Sequence, residues 1–249
     1  MEKITIRAFR PAVDRDNTIR YVAEHARVLE DIGVYQALKM NYEWCSDPDS
    51  VVVVAEHEQL GMVGGVRLQL SRPGAPLPFE NLLSPLDEDI KSTLSLLQPY
   101  GNAEICGLWN AHRFAGRGVP MLLTTAAVSM ASQLGLRSII SISASYTIDY
   151  LIRCGFSCMK NLGSEGEFAF PAPYIRSYAM INMDLITLEA AEPAQRHRLI
   201  GLRMHPTQHR AEVPKRIPLH VEYQLLVQEA PDEHLRYAMV HQDRLRLSA

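Results

Sequence analysis

The sequence has no long apolar run and no bias of charge. No stretch of its 249 residues approaches the roughly 18 uninterrupted apolar residues of a membrane helix, so no membrane span is expected. The opening, MEKITIRAFRPAVDRD, lacks the apolar core of a signal peptide. Lysines and arginines number 25 against 28 acids, so the whole chain carries no electrostatic signature of nucleic acid or of a membrane surface. Cysteines are few, and the four present (Cys45, Cys106, Cys154, Cys158) have no framework spacing. With no export signal they read as reduced thiols of a cytoplasmic protein. Internal repeats and low-complexity segments are also lacking, and nothing specifies an oligomeric state. What is present is apolar: 47% of residues are hydrophobic, enough for the core of one large domain or of a domain with an appendage.

The periodicity gives an element order. Residues 3–9 alternate as a strand does. Residues 17–44 have helical period, with Asn17 as cap, Val22, Ala26, Leu29 and Ile32 on one side, and a break at Gly33. Residues 50–71 read as two strands joined by a turn near Glu58–Gly61. The prolines and glycine of RPGAPLPFENLLSPLDED predict a loop, followed by a short helix in EDIKSTLSLLQPY. A strand is expected at 102–110 and a long helix at 119–136, with Pro120 in its first turn and Gly135 at its end. Then come a strand at 137–143, a short helix in 145–156, and strands in SCMKNLG and at 175–184. This order describes one mixed α/β sheet with helices on it. Beyond Asp184 the style changes. Residues 185–249 hold six of the nine histidines, residues 196–216 hold six basic residues and one acid, and 217–227 and 235–247 look like two more strands. The division expected is therefore 1–184 as the main domain and 185–249 as a β-rich extension, either an appended unit or extra strands on the main sheet.

The stretch AHRFAGRGVP (111–120) sits where a strand hands over to the long helix. Glycines there let the backbone approach a ligand, and the helix N-terminus offers N–H groups and partial positive charge to an anion. Arg113 and Arg117 are fork-shaped donors for phosphate. Arg113-Phe-Ala-Gly116-Arg117-Gly118 is too short for a nucleoside-triphosphate loop and lacks the glycine spacing of a dinucleotide fingerprint. Taken alone it also suits a tight turn.

R-x-x-G-x-G after a strand and before an apolar helix resembles the pyrophosphate loop of the GNAT acyltransferase superfamily. The later strand, short helix and ending LIRCGF resemble that superfamily's second motif. A narrower resemblance, in MVGGVRLQLS, FENLLSP, AEICGLW and GFSCMKNLGSEGEF, is to the acyl-homoserine-lactone synthases and N-acyl amino acid synthases. That branch has a glycine-bearing strand ending in Arg-Leu and an acid opening the next strand, here Arg67 and Glu104. It follows the acid with Ser-Arg, where this chain has Ile105, Cys106 and Gly107. This departure points away from homoserine-lactone synthesis itself and leaves N-acyl transfer in general.

The resemblance implies an α/β (α+β) fold with a mixed, mostly antiparallel central sheet flanked by helices. It implies acyl transfer from a pantetheine thioester, acyl-CoA or acyl carrier protein, to the amine of a small amino compound, with no tightly bound cofactor. Glu104 would be the base that activates the amine, its pKa raised by burial, or else a structural acid paired with Arg67. Gly107 suits a strand bulge, from which the Leu108 N–H would hold the oxyanion. The leaving thiolate would be protonated by Tyr150 in a shifted register, or by no side chain of this helix. Residues Arg113, Phe114, Ala115, Gly116, Arg117 and Gly118 would hold the donor's phosphates, with the N–H groups of Phe114 to Gly118 contributing most, and Arg67 and Trp109 would meet the substrate. The basic segment would steer an acidic carrier protein; nucleic acid is disfavoured because few aromatics interleave with the charges. His205 and His209 have i, i+4 spacing, but Pro206 argues against a helical metal pair. Cys106 as nucleophile lacks an orienting third group. Two alternatives stay open: a catalytically silent binding module on the same scaffold, and an enzyme that acylates a protein or tRNA amine.

Overall fold

The structure, a computed structural model, describes residues 1–36 and 41–227. The expected strand at 235–247 lies outside them. The elements run β1 (Glu2–Phe9), α1 (Arg15–Asp31), β2 (Ser50–His57), β3 (Gly61–Leu70), α2 (Pro78–Leu83), α3 (Asp89–Leu97), β4 (Asn102–Asn110), α4 (Val119–Ser129), β5 (Ser138–Ala144), α5 (Ile148–Arg153), β6 (Ser157–Cys158), β7 (Glu167–Ala169), β8 (Arg176–Asn182), α6 (Pro193–Met204), β9 (Thr207–Glu212) and β10 (Leu219–Gln224). The described strands form one ten-stranded sheet in the order β6-β8-β5-β4-β3-β2-β1-β10-β9, with β7 also on β8. Pairing is antiparallel except at β4–β5 and β1–β10. This is the mixed, mostly antiparallel sheet flanked by helices that the sequence implies.

Both faces of the sheet are covered, so the central strands carry continuous apolar runs rather than alternation. Val51, Val53 and Ala55 of β2 join the core beneath α4 and α6, with Ala103, Ile105, Leu123, Ala127 and Leu199. Val52 and Val54 face the other way, toward α1, with Tyr21, Trp44 and Trp109. Farther along this second face, α2 and α3 cover β5 and β8 through Phe79, Leu83, Ile90, Ile140 and Ala179. The consecutive glycines of MVGGV serve one face each. A Cβ on Gly64 would lie 2.9 Å from Val119 of α4, and one on Gly65 would lie 2.5 Å from the Tyr21 ring of α1. Each glycine thus lets a helix come against β3.

Several expectations are corrected. Asp14, not Asn17, caps α1, its carboxylate accepting from the Asn17 N–H at 3.2 Å. The buried stripe of α1 is Thr18, Tyr21, His25 and Leu29, rather than Val22, Ala26, Leu29 and Ile32; Ile32 is exposed. The stripe turns toward Tyr21 because Gly65 opens space for an aromatic ring. The expected loop after β3 contains α2, with Pro78 in its first turn, where the missing N–H costs nothing. Helix α4 ends at Ser129, earlier than expected, and the strand expected in SCMKNLG shrinks to Ser157–Cys158. The short β7 and the helix α6 were not anticipated.

The extension's strand β10 pairs in parallel with β1, Glu2 opposite Leu219 through Arg7 opposite Gln224. Helix α6 packs beside α4, placing Leu199 and Leu202 in the main core. Much of the basic segment is used within the chain. Arg198 and Arg210 both pair with the buried Glu212, at 3.2 and 3.1 Å, and Arg203 donates to the carbonyls of Leu185 and Ile186. Lys215 and Arg216, in the β9–β10 turn, are exposed.

Candidate functional site

The site follows from how β4 is paired. On one side it joins β5 in parallel, but only Asn102, Ala103 and Glu104 are paired, with Ser138, Ile139 and Ile140. Past that point both strands continue without ladder pairing, the Ser141 hydroxyl still donating to the Ile105 carbonyl at 2.9 Å, so they part just beyond Glu104. On its other side β4 pairs with β3, Arg67 opposite Cys106 and Gly65 opposite Trp109. Gly107 and Leu108 therefore face the single residue Val66: the strand bulges at the expected glycine, whose φ is +59°. An L side chain rarely adopts that backbone conformation.

Glu104 stands at the vertex of the splay, 1% exposed. Its Oε2 accepts from the Phe79 N–H of α2 at 2.7 Å, and Oε1 is buried with no hydrogen-bond partner. Burial pushes its pKa up to about 7, against the opposing pull of the Phe79 N–H and the Arg67 charge. Glu104 has no ion pair with Arg67 at salt-bridge distance; Arg67 instead donates to Gln69 at 3.0 Å and lies over the Trp44 ring at 4.7 Å. Gln69 in turn binds Ser50 and Asp47, and Asp47 and Asp49 share Arg72. A polar seam thus runs between the apolar cluster under α1 and that under α2 and α3. Cys106, opposite Arg67, has its thiol pushed up to about 12 by burial, which keeps it protonated and removes it as a nucleophile.

Beyond the bulge Trp109 is buried and stacks on His25, with ring centroids 6.3 Å apart. Burial and the Arg67 charge lower the His25 pKa to about 4, so its imidazole is neutral. Tyr21, His25, Trp44 and Trp109 form an aromatic wall beside the bulge. Sequence reasoning missed Tyr21, His25, Gln69 and Phe79. The i, i+4 spacing of Tyr21 and His25 was a usable signal, but a search for aliphatic residues passes over it.

The loop after β4 begins with a 3-10 turn, His112–Phe114. The N–H groups of Phe114 and Ala115 bond to the carbonyls of Ala111 and His112, so they are not available to a phosphate as expected. Phe114 is wholly buried. The N–H groups of Gly116, Arg117 and Gly118 make no backbone hydrogen bond among the described residues. Both glycines have positive φ, +81° and +75°, and Gly118 caps α4. Arg113 spans from Glu24 of α1, at 2.8 Å, to the Met62 carbonyl, at 2.6 Å. Arg117 forms a bidentate pair with Glu2 and lies 4.4 Å over the Phe114 ring. Pro214 of the β9–β10 turn packs on Gly118: a Cβ there would lie 2.8 Å from it. Tyr150 is half-buried on α5, with its neighbour Leu151 in the core. Among the described residues no three His, Cys, Asp or Glu residues gather as a metal site, and no helix is long and apolar enough to cross a membrane.

No family model and no curated protein matches the chain by sequence. Solved structures do match. FeeM, an N-acyl amino acid synthase from uncultured soil microbes, is 10% identical, with a TM-score of 0.55 over 79% of this chain and 99% of that one. The CoA-dependent acyl-homoserine lactone synthase BjaI, solved with SAM and isopentyl-CoA, is 14% identical, with a TM-score of 0.54 over 95% and 99%. A second CoA-dependent acyl-homoserine lactone synthase, MesI, is 15% identical, with a TM-score of 0.50 over 80% and 95%. With a sheet that splays at Glu104, a bulge at Gly107 and a glycine-capped helix after it, the chain has the fold of the GNAT-like acyltransferases.

Proposed function

We propose that the chain is an N-acyltransferase that moves an acyl group from a pantetheine thioester to the amine of a small amino compound. The observation that carries this reading is Glu104. It is a buried carboxyl with one unpartnered oxygen, titrating near neutrality, at the point where β4 leaves β5 and three residues before the bulge. A carboxylate so placed takes the proton from an ammonium or from the attacking amine. The amine nitrogen then bonds to the thioester carbon, and charge on the carbonyl oxygen is met by the Leu108 N–H. The C–S bond breaks, and the thiolate takes a proton, with Tyr150 the candidate donor. Arg67 and Trp109 border the acceptor side, next to the polar seam. The donor's phosphates rest on the N–H groups of Gly116, Arg117 and Gly118 at the N-terminus of α4. Arg113 and Arg117 frame that loop, and Lys215 and Arg216 stand in the adjoining turn. The structural neighbours FeeM, an N-acyl amino acid synthase, and BjaI, an acyl-homoserine lactone synthase, support acyl transfer to an amine.

A second reading, a catalytically silent binding module, is favoured by one observation: on α5 Leu151 is buried in the core, leaving only its half-buried neighbour Tyr150 to protonate the thiolate. Calorimetric titration with CoA, and separately with a medium-chain acyl carrier protein, tests both readings. Micromolar CoA binding lost in Gly116→Trp, where an added Cβ meets nothing within 4 Å, with thermal stability retained, supports phosphate binding by the loop and a CoA donor. Binding only to the carrier protein, weakening steeply with salt, makes the donor a carrier thioester. Binding without turnover of any amine supports the silent module, and binding of neither overturns the reading.

A further inference from the structure

A bulge at a glycine is a poor place to aim a catalytic N–H unless something fixes it. Gly107 is exposed, has no side chain to anchor it, and the bulge removes regular ladder pairing around it. The structure supplies an anchor from outside the sheet. The Tyr21 hydroxyl of α1 donates a 3.2 Å hydrogen bond to the Gly107 carbonyl. The peptide unit joining Gly107 and Leu108 is planar and trans, so its C=O and N–H point in opposite directions. Drawing the Gly107 carbonyl toward α1 turns the Leu108 N–H away from α1.

We infer that Tyr21 is a positioning residue: by holding the Gly107 carbonyl it fixes the direction of the Leu108 N–H, the donor assigned to the developing oxyanion. The inference rests on the acyl-transfer reading for its catalytic meaning, though the brace itself is a feature of the fold.

Tyr21 is well suited to hold rather than be held. It is 1% exposed and buried against Trp44 at 5.7 Å, Trp109 at 5.8 Å and His25 at 5.8 Å between ring centroids. Its ring crosses β3 at Gly65, where any Cβ would lie 2.5 Å from the ring. Burial raises its pKa, so the hydroxyl stays protonated and serves as donor. His25, one turn along, stands on the same side: a Cβ added to Gly107 would meet its ring at 3.3 Å, so a side chain there would be crowded. Preorganisation of this kind matters because an oxyanion donor acts through a direction fixed before reaction.

The test compares wild type with Tyr21→Phe, which keeps the ring and removes the hydroxyl. Two readouts are taken: the 15N amide resonance of Leu108, and thiol release from hexanoyl-CoA with a panel of amino acids as acceptors. The expected result is a displaced Leu108 amide resonance and a kcat lowered about tenfold or more, with KM for hexanoyl-CoA changed by less than about twofold. An unmoved Leu108 resonance overturns the brace. A displaced resonance with unchanged kcat overturns its catalytic role, as does a loss that appears in KM alone. If the wild type releases no thiol from hexanoyl-CoA or from a hexanoyl carrier protein, the acyl-transfer reading fails, and the Leu108 resonance alone decides whether Tyr21 sets the peptide.

Discussion

Phe79 and Glu104 are joined by a single 2.7 Å hydrogen bond from backbone N–H to carboxylate, and it is the only hydrogen bond this buried carboxyl makes among the described residues. One bond is too little to stabilise a fully buried charge, so the folded protein prefers the protonated form up to about pH 7.

The first prediction follows from the sign of that shift. A carboxyl whose pKa is raised on folding favours the folded state fully at pH values below its unfolded pKa of about 4.5, and that contribution is lost as pH rises through about 7. Glu104→Gln removes the titration. Its stability, measured by urea unfolding, should exceed that of wild type at pH 8 and converge with it toward pH 5. In the same variant kcat should fall about 10²-fold or more, and the rise of wild-type activity through pH 7 should disappear. A variant that keeps wild-type rates removes Glu104 from the mechanism.

His25 gives the opposite dependence. Its pKa is lowered from 6.5 to about 4 on folding, so the unfolded chain takes up a proton first as pH falls. The stabilisation is present above 6.5 and is lost between 6.5 and about 4. His25→Phe retains a ring against Trp109 but cannot titrate. It should lose less stability than wild type between pH 7 and pH 4.5, read from unfolding midpoints at the two values. Equal losses would mean that His25 is not held neutral by the fold.

The pair between Arg117 and Glu2 tests whether the 113–118 loop takes a phosphate. Both side chains are partly exposed, 27% and 38%, so the pair is worth no more than about 1 kcal/mol to stability. If Arg117 turns to a phosphate when a donor binds, Glu2 competes with the ligand. Glu2→Gln should then tighten CoA binding by up to about fivefold, and Arg117→Ala should weaken it. Two variants with wild-type affinity would show Arg117 to be a strut that only holds the loop to β1.

Strand β4 was readable because it breaks its own pattern. An acid and a glycine within the apolar run NAEICGLWN are costly unless each has a use, and the structure shows a buried carboxyl and a bulge at those two positions. The supporting shell was not readable. Phe79 lies in a segment whose prolines suggest a loop, yet Pro78 starts a helix and Phe79 contributes its backbone rather than its side chain. Tyr21 reaches the bulge only because Gly65, on another strand, leaves space for its ring. That coupling joins residues far apart in sequence. The basic segment looked like one charged surface, but the burial of Glu212 shows that part of its charge is matched within the fold.

The parallel pairing of β1 with β10 has a consequence for how the molecule is made. Synthesis delivers β1 long before the strand that covers its outer edge, with Glu2 waiting for Leu219. Until then β1 presents an unpaired edge, a template for unwanted strand addition. Because Pro214, just before β10, rests on Gly118, the loop at the head of α4 also lacks that contact until the late segment docks. A chain interrupted before β10 would therefore be aggregation-prone, so that one late folding event both covers the edge of β1 and seats Pro214 on the loop at the head of α4.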